Sequence, residues 1–236
     1  PLAPVPAAVL SGPTDRVTRV RIVGGKFWGI GLTPAGWTRF IGTPASEMAN
    51  RFCAMGQTAA DRSLHAMLDQ LRRDGDDLAA AATLINRTFR ALLGEQPEAE
   101  ATLQAVHRGV LALESTSVRA MSAQIGLNAR TFERFCKRHF GFAPRTLLRR
   151  QRFLRSLGEY MLDPSMRWIG SLDMHYWDQA HFIRDFRATM NMTPSEFAAL
   201  PHPVIKAAVS VSNMNGGVAM QALYHPERLA RPETGL

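Results

Sequence analysis

The sequence predicts a mostly α-helical fold: a small α+β and helical accessory region, then two alike helix pairs joined by a linker helix. Three observations carry this. Apolar residues recur at i, i+3, i+4 and i+7 through much of the chain after residue 43, the period of an amphipathic helix. A stretch beginning at Gly126 returns in kind fifty positions later. The net charge of +8, from 28 Lys and Arg against 20 Asp and Glu, is confined to one region. At 236 residues the chain is long enough for one large domain or two small ones.

Composition excludes several classes. A hydrophobic fraction of 46% with 20% charged residues is that of a globular protein, not a disordered one. Cys53 and Cys136 are too far apart for a CxxC zinc or redox motif and too few for a disulfide framework, so a reducing, cytoplasmic setting is expected. The least charged run, Ala207 to Tyr224, is broken by Ser, Asn and Gly, so no membrane span is expected. The chain opens on Pro1 with no basic stretch ahead of an apolar one. No secretory leader is therefore expected, and the missing Met points to a piece of a longer chain.

In chain order, residues 1–15 are Pro-rich and read as an extended lead-in. Residues 16–23 alternate polar and apolar with Val17, Val20 and Ile22, which predicts a strand, and 26–32 a second after Gly24-Gly25. Thr43 as N-cap with Pro44 behind it predicts a short helix to about Phe52. A helix from Thr58 carries Leu64, Met67, Leu68 and Leu71. The next, capped by Asp76 or Asp77, carries Leu78, Ala82, Ile85, Phe89 and Leu92. A fourth, opened by Pro97, carries Leu103, Val106 and Val110. The expected domains are a short β-containing segment over 1–43, a helical accessory or dimerisation region over 44–112, the tandem over 113–200, and an unassigned tail over 201–236.

The repeat sets GLNARTFERFCKRHFGFAP (126–144) against YWDQAHFIRDFRATMNMTP (176–194). Asn128 and Asp178 are N-caps, so a helix starts one residue after each. Phe132 and Phe182 begin the inward stripe, continued by Phe135 and Cys136 in the first copy and Phe186 in the second. Gly141 and Asn191 suit the left-handed residue that ends a helix, and Pro144 and Pro194 open the next. A short apolar helix precedes each copy, from Ser117 to Gly126 and from Met166 to Met174. Short helix, turn and capped helix, twice over, make a tandem helix-turn-helix. Between the copies, residues 145–161 form an amphipathic helix with Leu148, Phe153, Leu157 and Met161 inward.

Charge follows the same map. Residues 117–160 hold ten basic residues, nine of them Arg, and only Glu133 and Glu159 as acids, so this segment alone accounts for the whole +8. Arg suits bidentate contacts to phosphates and base edges, and such a concentration is the footprint of a nucleic-acid-binding element. Residues 164–200 carry three Arg against four acids. The first motif and linker are thus expected to supply most phosphate attraction and the second to tune specificity.

The pattern N-x-R-x-F-x-R…G-x-x-P, a basic linker helix, then DQAHF-IRDF and T-P-S-E-F resembles the DNA-binding domain of AraC/XylS-type transcriptional regulators over about residues 113–200. More loosely, WGIGLTPAGW and GTPASE in the N-terminal part resemble the accessory region preceding that domain in one subgroup. Departures are His175 where the family has a turn Gly, Asn191 for the Gly before the last T-P, and the Phe135-Cys136 pair. The resemblance implies a transcriptional activator or repressor, double-stranded DNA and RNA polymerase as partners, and a small-molecule effector or a homodimer contact at the N-terminal region.

In a helix-turn-helix the second helix enters the major groove, where Arg donates to guanine O6/N7, Gln suits adenine, Glu accepts from cytosine N4, and apolar groups meet the thymine methyl. Candidate base contacts are Arg130, Glu133, Arg134, Gln179, Ala180, Ile183 and Arg184. Candidate phosphate contacts are Lys137, Arg138, Arg145, Arg149, Arg150 and Arg187. A rigid linker is expected to set the two helices about one DNA turn, roughly 34–36 Å, apart. No catalytic residue, metal or cofactor is expected: GxSxG, HExxH and GxxxxGK[ST] are all missing from the sequence. His175, Asp178 and His181 sketch a metal site only at the expense of the Asp178 cap. The alternative is a protein-interaction module on this fold without DNA binding, with a metal- or thiol-dependent enzyme behind it.

Overall fold

A computed structural model describes residues 6, 8–18, 20, 28–56, 59–112, 117–162, 176 and 178–202. It is mostly helical, with β1 (Val9–Ser11), α1 (Pro34–Phe40), a 3-10 turn (Ala45–Glu47) and β2 (Phe52–Ala54). These are followed by α2 (Ala59–Asp74), α3 (Leu78–Ala91), α4 (Glu100–Leu111), α5 (Val118–Gln124), α6 (Ala129–Phe140), α7 (Pro144–Leu162), α8 (Gln179–Met190) and α9 (Pro194–Ala198). The described residues fall into two compact units, one drawn from 1–14, 18–109 and 117–144, the other from 15–17, 110–116 and 145–236. Among the described residues no helix is long and apolar enough to cross a membrane.

The β structure of the first unit differs from the sequence expectation. β1 pairs antiparallel with β2, Leu10 opposite Cys53, so the strand pair joins the Pro-rich lead-in to the segment after the 3-10 turn. Residues 16–18 and 20 are not in a strand, nor are 28–32; the rest of the two expected strands, 19, 21–23, 26 and 27, lies outside the described residues. Alternation alone does not make a strand without a partner, and Val20 is 62% exposed. The expected helix from Thr43 is only the 3-10 turn. Its continuation is stopped at Asn50, whose φ of 57° is left-handed, and the chain passes into β2. The full Thr-Pro helix start sits ten residues earlier, where Thr33 accepts the Gly36 N–H and Pro34 opens α1.

Helices α2 and α3 pack through Leu64, Met67, Leu71 and Ala81, with Trp28, Ile85 and Phe89 around them. Asp77 caps α3 through the Ala79 and Ala80 N–H groups. Leu78 and Ala82, expected on the inner stripe, are exposed, whereas Ile85, Phe89 and Leu92 pack inward as expected, beside the buried Ala81. Helix α4 starts at Glu100, whose N–H donates to the Pro97 carbonyl, and buries Leu103 and Val106.

The second unit is built around Phe153, Leu157 and Met161 of α7, Tyr176, Phe182, Phe186 and Met190 of the α8 region, and Phe197 of α9. Aromatic rings meet edge to face along this core, Phe153 on Phe186 at 5.4 Å and Phe186 on Phe197 at 5.6 Å. Leu147, not Leu148, is the buried leucine of the first α7 turn. The expected helix 166–174 and the turn residue His175 lie outside the described residues.

Candidate nucleic-acid interface

The first helix-turn-helix is assembled by local hydrogen bonds. Ser117 accepts the Ala120 N–H to start α5, and Met121 anchors that helix at 2% exposure. The chain reverses at Gly126, φ 74°, and the Leu127 N–H returns to the Ser122 carbonyl. Asn128 then accepts the Thr131 N–H at 2.9 Å and α6 begins. Phe132, Cys136 and Phe140 are buried along one stripe, so Phe140 takes the third inner position that the sequence reading gave to the half-buried Phe135. The spacing 132, 136, 140 carried that signal. Gly141, φ 86°, closes the helix onto the Lys137 carbonyl.

The opposite face of α6 presents Arg130, Glu133, Arg134, Lys137 and Arg138, all exposed. Lys137 Nζ lies 2.7 Å from Glu133 Oε1, one helical turn apart, with both side chains about half exposed. Such a pair is worth only about 0.3–0.5 kcal/mol and yields readily to a stronger anion. Among the described residues, Arg130 and Arg134 have no ion-pair partner. These side chains line an open groove of about 630 Å³ together with Pro44 and Ser46. On the flank of α6, His139 Nδ1 shares a 3.0 Å hydrogen bond with the Thr38 hydroxyl of α1. Burial, helped by the Arg138 charge, pushes the His139 imidazole below its usual pKa. Beneath the face, burial and then Glu133 push the Cys136 thiol up to about 12, so it stays protonated and unreactive.

Helix α7 divides its arginines. Arg145 and Arg149 are exposed, whereas Arg150 is half-buried, its pKa lowered by burial against the opposing pull of Asp15. Arg152 lies over the Tyr176 ring at 5.1 Å, and Arg155 donates to the Ala112 carbonyl. Only part of the basic run is therefore turned outward, a division that depends on partners distant in sequence.

Helix α8 repeats the frame of α6. Asp178 accepts the His181 N–H at 2.6 Å, and Asn191, φ 53°, closes α8 onto the Arg187 carbonyl. Gln179, Ala180, Arg184 and Arg187 are exposed. Ile183 is half-buried and packs on the core cluster, so less of it faces outward than its position in the repeat suggests. Asp185, 8% exposed and 3.8 Å from His181, is a buried carboxylate that sequence reasoning did not single out. Thr193 and Glu196 form a capping box at α9. The Thr193 backbone N–H, then its hydroxyl, hold the Glu196 carboxyl below the usual range.

Of the sketched metal ligands, Asp178 is the cap and His181 packs on Tyr176; His175 lies outside the described residues. Among the described residues no group of three or more His, Cys, Asp or Glu is placed to hold a metal. The first unit also contains an apolar cavity of about 110 Å³ among Leu10, Trp28, Met67 and Phe89, with Asp61 on its wall. That is well below the ~300 Å³ at which ordinary small-molecule sites begin.

A family model described as a helix-turn-helix domain matches residues 121–199. No curated protein and no solved structure matches the chain. The matched residues run from α5 through α9 and take in both capped helices. Residues 121–199 are thus a helix-turn-helix domain of the AraC type, a match that supports a DNA-binding regulator.

Proposed function

We propose that the chain is a sequence-specific DNA-binding transcriptional regulator that reads two adjacent major-groove segments, one with α6 and one with α8. The observation that carries the reading is the shared frame. Both helices start on an Asx cap, run twelve residues and end on a left-handed residue, fifty positions apart. Each keeps its aromatic stripe inward and a polar face outward. Arg130 and Arg134 are assigned to guanine edges, Glu133 to cytosine, Gln179 to adenine, Ala180 and Ile183 to thymine methyls, and Arg184 to a further base edge. Lys137, Arg138, Arg145, Arg149 and Arg187 are assigned to phosphates. Arg150, half-buried near Asp15, is the weakest member of that set.

The test is selection of bound sequences from a random duplex pool, followed by footprinting of the winner. Two protected major-groove segments about 10 base pairs apart are expected. One protected segment removes α8 as a reader. Equal binding to every sequence removes specificity altogether and favours a protein-interaction role.

A further inference from the structure

The groove beside α6 is not made by the helix-turn-helix alone. Pro44 and Ser46, from the turn ahead of β2, line it with Arg130, Arg134, Lys137 and Arg138. That turn is held from several sides. Trp37, 7% exposed, donates its indole N–H to the Thr43 carbonyl at 2.8 Å. Ala45, 1% exposed, has its carbonyl oxygen 3.3 Å from where a Cβ would stand on Gly141, the residue that ends α6. Behind the turn, the Asn50 N–H donates to the Pro13 carbonyl at 2.8 Å, and the Gly12 N–H to the Arg51 carbonyl at 3.0 Å. Position 12 admits no side chain, because a Cβ there would collide with the Met48 carbonyl. Ser46 nevertheless stays exposed. A clamped turn thus places Ser46 on the wall of the groove that the cations of α6 also line.

We propose that Ser46 is a DNA phosphate contact, so that the accessory turn 44–47 and α6 form one DNA-binding face. The inference rests on the assignment of α6 as a major-groove reader. A helix with its side chains is about 10–12 Å across and fills a major groove about 12 Å wide. An element clamped along such a helix therefore meets the strand that borders the groove. Serine hydroxyls are ordinary donors to phosphate oxygens, and contacts of that kind fix register without carrying sequence information. A neutral hydroxyl releases no counterion, so it contributes affinity but leaves the salt slope unchanged, whereas a cation at the same place adds to the slope.

Ser46→Ala, Ser46→Lys and Arg134→Ala, each checked for an unchanged melting temperature, are titrated on the selected operator and on an unrelated duplex across a salt series. Ser46→Ala is expected to weaken both duplexes about three- to tenfold with the slope unaltered. Ser46→Lys is expected to steepen the slope by about one. The inference is overturned if both Ser46 variants match the wild type in affinity and slope while Arg134→Ala still loses operator preference. That outcome leaves the α6 assignment standing. Absence of any duplex binding by the wild-type chain overturns both.

Discussion

Helices α6 and α8 are built alike and differ in how much positive charge they present. The outer face of α6 carries Arg130, Arg134, Lys137 and Arg138 around the single acid Glu133. That of α8 carries Gln179, Ala180, Arg184 and Arg187, with the acid Asp185 folded into the core. The frame of caps and aromatic stripes is what the fold requires, so it is common to both. The exposed positions are free of that requirement and have diverged. The comparison sharpens the proposed division of labour, in which the first copy and the linker helix supply most attraction to the phosphate backbone and the second copy chiefly tunes base discrimination.

The largest effect tests whether the frames are equivalent. Phe132 and Phe182 are 0% and 1% exposed, and truncating either to Ala is expected to cost ~3–5 kcal/mol. Urea melts of Phe132→Ala and Phe182→Ala check this. A loss under ~1 kcal/mol at one site would show that its copy is not packed as described. Next comes base contact. Arg134→Ala and Arg184→Ala are each expected to lose about ten- to a hundredfold in operator affinity, corresponding to the ~1–3 kcal/mol of a bidentate pair, with discrimination lost at one base position each. If either variant weakens specific and unrelated duplexes equally, that arginine contacts phosphate and the division of labour shifts.

A smaller effect distinguishes the copies by pH. Burial lowers the pKa of His107, whose ring faces Phe140 at 6.4 Å in the first unit. The unfolded chain therefore binds more protons than the folded one below pH ~6.5. Stability from the neutral ring is full above that value and is lost as pH falls through it. Denaturant midpoints are expected to drop between pH 7.5 and 5.5, and His107→Gln is expected to shrink the drop. An unchanged midpoint in the wild type would contradict a half-buried, neutral His107.

The two capped helices were legible in the sequence because their determinants are local. Asn128, Asp178, Gly141 and Asn191 act within one helical turn, and their spacing survives any change elsewhere. The accessory region was not, because its determinants are distant. Two Thr-Pro pairs look the same, yet Thr33-Pro34 opens a helix and Thr43-Pro44 a single turn, since Asn50 and the pairing of β2 with β1 intervene. The strand at Val9–Ser11 depends on a partner more than forty residues away. The same physics limited the site. Faces of α6 and α8 followed from helical spacing, but the half-burial of Arg150 near Asp15 and of Ile183 on the core did not. Nothing in sequence spacing brings Ser46 beside α6.

The most direct test of the division of labour is the salt dependence of operator binding in three proteins: wild type, Arg145→Gln with Arg149→Gln, and Arg187→Gln. Each phosphate contact removed lowers the slope of log K against log salt by about 0.9. The double variant is expected to lose about 1.8 in slope and the Arg187 variant, one phosphate contact, about 0.9, with operator preference kept in the first. A double variant that loses no more slope than the Arg187 variant would contradict the account.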